Sequence, residues 1–418
     1  MSNDETESSH GRISSNNNNS RRDLEMERIL QSHGFALFGE IVDYGFFSWT
    51  PRGPYRQLHQ VTGDEMRACV QVGTRPPTMR PLADLQAECP ITLKPAPKNG
   101  GRNKNHKNTS NNSNNSNNTT RNEYPYNSSL LVPLYVAAVH CHIRPADIDF
   151  LFGGSLLYTL ATGQIENTTT TPHYWAQQVP GTRVVVIEKH ASYTKYPNDP
   201  GQLFEQFVTQ STNSTNNSTN SSSYEHLQTM RMMDGQHTVL IAAESDGIQN
   251  TNDNNDHRAI EIKCSNPHHW NMKLPFQMIS NGSHTLVYAE KEQKKQQPSS
   301  SGRRSTGSSG KQQQGLTTIT HVHTKSLDEV LHFVQNKTTN APAHGNKGPP
   351  SVPQLEERLA QNLRVLADAR NEGLFDDGRP YTLQFVERQL QLHPVSILPT
   401  EAVVHELLSS SRSGAASL

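Results

Sequence analysis

Two short motifs hold the residues in this chain best suited to chemistry, Glu244-Ser245-Asp246 and Glu261-Ile262-Lys263, each closing a largely apolar run that begins at Thr238 or Ala259. On a β-strand, residues i and i+2 share a face, so Glu244 is expected beside Asp246 and Glu261 beside Lys263. Paired strands lie about 4.8 Å apart, and a hairpin of these two strands would gather three carboxylates and one ammonium into a small volume. Three like charges under low solvation need a cation. Hard oxygen donors at that density suit Mg²⁺ or Mn²⁺, one ion or two. Lys263 beside the ion would orient or help deprotonate water, or neutralise charge developing on a phosphate. The same residues also fit a solvated hairpin face with a cross-strand ion pair, and on the pattern alone both readings stand.

The elements that must position these groups are partly readable. Pro200 to Gln210 predicts a helix, with Pro200 in its first turn and Leu203, Phe204, Phe207 and Val208 as its apolar stripe. Glu205, at the edge of that stripe, is the natural fourth carboxylate, and the full set would suffice for two ions clamping the attacking and leaving oxygens of a phosphodiester or pyrophosphate. Strands are expected around Gly39 and Gly45, and over Thr182 to Lys189, Thr238 to Asp246, Arg258 to Lys263, His284 to Glu290 and Thr317 to Thr324. Helices are expected over Trp270 to Ser280 (with Gly282 as its stop), Asp328 to Gln335 and Gln354 to Ala369. Asp147 to Gly163 reads as a Gly-Gly turn entering a helix, Leu130 to His142 as a helix or buried strand, and Thr382 to Leu407 as strand then helix. Strands alternating with helices around one core predict an α+β fold, a single large domain with a mixed central β-sheet flanked by helices.

Composition sets the limits. The 418 residues are 32% hydrophobic with mean hydropathy −0.74, but the polarity is concentrated in Asn-, Ser- and Gln-rich tracts. These lack the apolar side chains that would offset ordering entropy, so they are expected to be disordered. The predicted organisation is an N-terminal tail over 1–24, a domain over 25–407 and a C-terminal tail over 408–418. Insertions are expected near 98–122, 209–223, 249–257, 292–316 and 338–351. Loop-closure cost grows only logarithmically with length, so strands on either side of a tract can still pair.

A formal net charge of −1 excludes a protein that coats nucleic acid through its overall field, so an anionic substrate must be gripped locally. Cys69, Cys89, Cys141 and Cys264 form no CxxC pair, which argues against a structural zinc site or disulfide framework and for a reducing compartment. No run reaches the roughly 18 apolar residues of a membrane span, and the polar start has no signal core; the expected location is nuclear, cytoplasmic or both. His140-Cys141-His142, His268-His269 and His321-Val322-His323 lack helical ligand spacing and a cysteine partner, and are read as buried or solvated histidines. Trp270 is read as core, with base stacking as its functional alternative.

In order and spacing the motifs resemble those of the PD-(D/E)XK nuclease superfamily, and within it the DXO-like family of RNA decapping and deNADding exoribonucleases. GQLFE (Gly201 to Glu205) is similar to that family's GxxxE helix, ESD to its ExD strand and EIK to its ExK strand. Gln277 is similar to a family glutamine near the metal, EIVDYGFFS (Glu40 to Ser48) to the opening of the domain, and SILPTEAVVHEL (Ser396 to Leu407) to its C-terminal helix. The resemblance implies metal-dependent hydrolysis at RNA 5′ ends that carry a triphosphate, an NAD cap or an incomplete cap, with 5′–3′ exonuclease activity in some members. It implies Glu205, Glu244, Asp246 and Glu261 as metal ligands, joined by the Ile262 carbonyl, and Lys263 and Gln277 as positioners of the nucleophile.

One step departs from the family. Its Trp-Arg-Gly motif, whose arginine contacts the RNA 5′ end, is Phe152-Gly153-Gly154 here. Gly153 and Gly154 would instead offer N–H groups to a phosphate at a helix start, or form an ordinary tight turn. Arg52, Arg56, Lys189 and Lys195 are the candidate replacement cations, each also readable as a surface charge. The departure supports a second reading, a non-catalytic partner that binds RNA ends or activates a separate 5′–3′ exoribonuclease; a third is a DNA-acting nuclease of the same superfamily.

Overall fold

Apolar stretches separated by Gly, Pro and Asn condense into two sheets and the helices that cover them. The computed structural model of the chain describes residues 17–49, 70–93, 131–165, 173–179, 181–190, 199–209, 223–233, 235–250, 257–292, 317–339, 350–376 and 379–394. Arg52, Arg56, Lys195, the helix expected over 396–407 and most of the expected insertions lie outside these residues.

In chain order, α1 (Asn17–Ser32) leads into the long β1 (Phe38–Trp49) and its short neighbour β2 (Val70–Val72). Next come α2 (Leu82–Ala87), β3 (Ile91–Leu93), α3 (Leu131–Val139), β4 (Phe150–Gly153) and α4 (Gly154–Thr162). The middle of the chain forms β5 (His173–Gln178), β6 (Val185–His190), α5 (Pro200–Thr209), β7 (Ser223–Met232), β8 (His237–Glu244), β9 (Gly247–Asn250) and β10 (His257–Lys263). It then forms α6 (Lys273–Ser280), β11 (Thr285–Lys291), β12 (Thr317–Ser326), α7 (Leu327–Thr339), α8 (Val352–Asn371) and the hairpin β13 (Tyr381–Val386) and β14 (Gln389–Pro394).

Among the described residues the expected mixed sheet is present and is one of two. The larger has nine described strands in the order β14-β13-β5-β6-β4-β8-β7-β1-β2, and the smaller five in the order β3-β12-β11-β10-β9. At the centre of the larger, β4 runs parallel to both β6 and β8, and its apolar FLFG run is buried on both faces as a parallel interior strand requires. The strands expected around Gly39 and Gly45 are one strand, β1, irregular in register after Phe38 and after Asp43.

The expected hairpin of the two acidic motifs does not form. Strand β8 has β4 on one side and β7 on the other, so neither of its edges is open to β10. The chain instead leaves the larger sheet at Glu244 and enters the smaller at Gly247, where β9 pairs antiparallel with β10. Glu244 and Asp246 therefore do not share a strand: Ser245 and Asp246 bridge the two sheets, with the Ser245 N–H donated to the Tyr224 carbonyl at 2.9 Å.

Strand β7, which sequence periodicity misses, holds the far side of this seam. It buries His226, Gln228 and Thr229 as well as Leu227 and Met230, so no apolar/polar alternation marks it. The Gln228 side-chain amide donates to the Ile279 carbonyl at 2.7 Å and the Ser280 carbonyl at 2.8 Å, satisfying the last turn of α6. Gly282, with φ +67°, ends that helix where a Cβ would collide with the His226 ring. At its other end α6 is anchored by Phe276, which meets Phe35 at 5.9 Å, Phe38 at 6.5 Å and Tyr158 at 5.6 Å between ring centroids, all edge-on.

Helix α4 reaches α6 through Gly154. A Cβ there would stand 2.6 Å from Ser280 Cβ and 2.9 Å from Ala243 Cβ, and the Ser280 hydroxyl donates to the Gly154 carbonyl at 3.0 Å. Gly154→Ala is therefore expected to cost about 1–3 kcal/mol. A urea titration should show a lowered midpoint, and an unchanged midpoint would contradict this packing.

Candidate active site

The seam concentrates charge. Glu261, 3% exposed, lies on β10 with its carboxylate paired to the Lys263 ammonium on one side. On the other, it accepts a hydrogen bond from the Asn281 side-chain amide at 2.5 Å. Asp246 Oδ2 accepts the Ile262 N–H at 2.8 Å, which places that carboxylate against the strand that carries Glu261 and Lys263. Glu205, on α5, is close enough to act electrostatically on both Asp246 and Lys263. Phe204 and Val208, on the buried side of the same helix, join Ile260 and Ile262 in one apolar cluster, which fixes the face that Glu205 occupies.

The electrostatics follow from this crowding. Burial, then the neighbouring Glu261 charge, pushes the Asp246 carboxyl well above the ordinary carboxylate range, and Lys263 and the Ile262 N–H offset only part of the rise. Burial alone would lower the Lys263 ammonium, but Glu261, Asp246 and Glu205 outweigh it and hold it above the ordinary lysine value. One ammonium thus serves three carboxylates. An oxygen-only set with more negative charge than its lysine neutralises fits a hard divalent cation such as Mg²⁺ or Mn²⁺, and Asp246, Glu261 and Glu205 are the residues that would hold it.

The remaining expected residues fall around this core. Glu244, at the end of β8, is exposed, two residues from Asp246, and its register partner on β7 is the buried Glu225. Ile262 buries its side chain in the apolar cluster beneath the site. Gln277, half-buried on α6, lies one turn before Asn281, whose N–H is donated to the Gln277 carbonyl at 3.0 Å. Gly153 pairs in register with Ala242, two residues before Glu244, so the start of α4 adjoins the seam. The two glycines differ: a Cβ at Gly153 would make only ordinary contact, 3.8 Å from the Ala242 carbonyl, whereas Gly154 is required by packing. Lys189 is exposed on β6.

Two residues at the site escape a reading of the sequence. Asn281, beside the expected helix stop Gly282, carries no signal of its own, yet its side chain is buried and holds Glu261. Glu225 sits on the strand whose polar composition conceals it.

The frame is α+β, a large mixed sheet flanked by helices, with carboxylates where one sheet hands the chain to another. Among solved structures the chain has the fold of S. pombe Rai1, with a TM-score of 0.51 at 9% identity over 86% of this chain and 94% of that one. It is likewise similar to Scheffersomyces stipitis Rai1 in complex with (3′-NADP)⁺ and calcium ion, with a TM-score of 0.52 at 11% identity over 90% of this chain and 96% of that one. S. pombe Rai1 in complex with 3′-FADP gives a TM-score of 0.50 at 9% identity over 86% of this chain and 94% of that one. No family model matches the chain, and no curated protein matches it in sequence.

Two outcomes are expected of the site. A carboxyl that holds its proton more tightly folded than unfolded contributes stability that is complete below the unfolded value and is lost as pH rises through the raised folded value. At neutral pH without metal, Asp246 is thus a net cost, and Asp246→Asn should raise the Tm. The same variant should abolish the Tm rise that Mn²⁺ gives the unaltered chain; a lowered metal-free Tm or a retained Mn²⁺ response would contradict this. Asn281→Ala should weaken Mn²⁺ binding about 10- to 100-fold by calorimetry, as for other groups that orient a ligand. Unchanged affinity would remove Asn281 from that role.

Proposed function

We propose that this chain is a divalent-metal-dependent hydrolase that acts on RNA 5′ ends, releasing pyrophosphate from a triphosphate end or removing an NAD or incomplete cap. The observation that carries the proposal is the buried Glu261 with the half-buried Asp246 and Lys263 against it, and Glu205 within electrostatic reach, at one sheet junction. The Rai1 neighbours support it: (3′-NADP)⁺ and 3′-FADP are dinucleotides with a phosphate on a 3′ oxygen, chemically the first nucleotides of an RNA that begins with NAD or FAD. Under this proposal the chain belongs with the DXO-like enzymes, and its location is nuclear, cytoplasmic or both. No helix among the described residues is long and apolar enough to cross a membrane.

When bound, Mg²⁺ or Mn²⁺ supplies Lewis-acid charge for the phosphate oxygens and activates water. The residues do the rest. Asn281 and Lys263 fix the orientation of the Glu261 carboxylate. Lys263, held cationic by its carboxylate neighbours, offers N–H donors to negative charge growing on the phosphate. Glu244, exposed at the rim, stands where a 5′ end would arrive from solvent, with Gln277 proposed to help place the nucleophile. Gly153 leaves the family's arginine position empty of side chain, so grip on the terminal nucleotide falls to other cations, with Arg52 and Arg56 as candidates.

A panel of RNAs identical except at the 5′ end tests this with Mg²⁺ or Mn²⁺. Pyrophosphate, a cap dinucleotide or mononucleotides should appear from at least one end type, and Glu244→Ala/Asp246→Ala should lower the rate at least about 100-fold. Intact substrates, or equal rates from the variant, would sink the proposal. Gly153 favours one second reading, in which the chain activates a separate 5′–3′ exoribonuclease; that nuclease would then be stimulated equally by wild-type and variant chains. Cleavage of single-stranded DNA but not RNA would point to the DNA-acting alternative.

A further inference from the structure

Strands β11 and β12 run antiparallel, with Glu290 opposite His321 and Tyr288 opposite His323. Residues two apart on a strand share a face, so His321, His323 and Glu290 project together. The spacing that disqualifies His-x-His on a helix is the spacing that works on a strand. Both imidazoles converge on one atom: His323 Nε2 lies 3.3 Å and His321 Nδ1 3.6 Å from Glu290 Oε2. The two rings lie 5.8 Å apart between centroids and are inclined by only 27°.

We infer that Glu290, His321 and His323 form a second metal site, separate from the carboxylate seam and selective for a borderline transition-metal ion, Zn²⁺ foremost. Donors about 2.0–2.2 Å from a tetrahedral Zn²⁺ stand about 3.3–3.5 Å from one another, so the two nitrogen–oxygen separations already approach the required edge. Two imidazoles and one carboxylate match Zn²⁺ better than Mg²⁺, which prefers oxygen alone. With side-chain exposures of 65% for His321, 38% for His323 and 53% for Glu290, the ion has free entry and a fourth position is left to water.

The backbone holds this arrangement. The ladder slips in register just after Glu290, and the hydroxyl of Thr320, the residue left over on β12, donates to the Glu290 carbonyl at 3.1 Å. His323 is flanked by the Tyr288 ring, 5.2 Å away between centroids, which itself packs edge-on against Trp270 at 4.8 Å. Lys263 pairs in register with Tyr288, so Glu290 lies on the strand beside β10 and the two histidines on the next strand out, roughly 10 Å across the sheet from β10, and the two sites have no residue in common.

The test is titration of Zn²⁺ into the full chain with excess Mg²⁺ present to occupy the carboxylate seam, comparing wild type, His321→Ala/His323→Ala, Glu290→Gln and Glu244→Ala/Asp246→Ala. Wild type should bind one more equivalent of Zn²⁺ than the double-histidine variant. Glu290→Gln should weaken that equivalent at least about 10-fold, and the seam variant should keep it. Substitution by Co²⁺ should give the intense visible absorption of tetrahedral coordination in wild type and in the seam variant, but not in the double-histidine variant. Equal Zn²⁺ stoichiometry in wild type and a folded double-histidine variant, judged by circular dichroism, would overturn the site. Loss of the extra equivalent only in the seam variant would also overturn it and assign the ion to the seam.

Discussion

A chain that leaves one sheet at Glu244 and enters another at Gly247 has two residues in which to cross, and that crossing puts Asp246 against the backbone of the neighbouring β10. Most of the rest follows from this constraint. Once Asp246 is tied to the Ile262 N–H, Glu261 and Lys263 on either side of Ile262 must share its environment, and α5 needs only to dock its apolar stripe on the same strand to bring Glu205 near. The result is a pocket of like charge that one lysine does not neutralise. Isolated, such a group costs stability; with a divalent cation it becomes a strong binding site.

The seam stays in place because α6 is held from three directions. Gln228 satisfies its last carbonyls, Ser280 bonds to the first residue of α4, and the ring of Phe276 is locked among Phe35, Phe38 and Tyr158. Asn281 is the first residue beyond this fixed point, so its amide reaches Glu261 from a rigid base. Positioning of a ligand by a rigid neighbour separates a preorganised site from a loose collection of acids.

How much of this is visible in the sequence depends on which physical signal a residue carries. Glu205, Asp246, Glu261 and Lys263 are legible because acids and a lysine at the ends of apolar runs are unusual, and the apolar runs themselves mark α5, β8 and β10. The shared strand expected for Glu244 and Asp246 is not realised, because periodicity cannot report that both edges of β8 are already occupied. Strand β7 is hidden by buried polar groups whose partners, such as the α6 carbonyls, lie far away in sequence. The histidines of β12 look inert until Glu290, beyond a Gln- and Ser-rich run, is brought opposite them. Gly153 and Gly154 read alike as letters, and only packing separates the one that needs glycine from the one that does not.

The central claim is that the crossing between the two sheets is a divalent-metal site built from Asp246, Glu261 and Glu205 with Lys263 beside it. Anomalous scattering from a crystal of the full chain soaked in Mn²⁺ tests it most directly. A peak is expected at bonding distance from Asp246 and Glu261, about 2.0–2.2 Å from the nearest carboxylate oxygens. A fully occupied Mn²⁺ elsewhere in the molecule, with the Asp246 and Glu261 carboxylates unliganded, would contradict it.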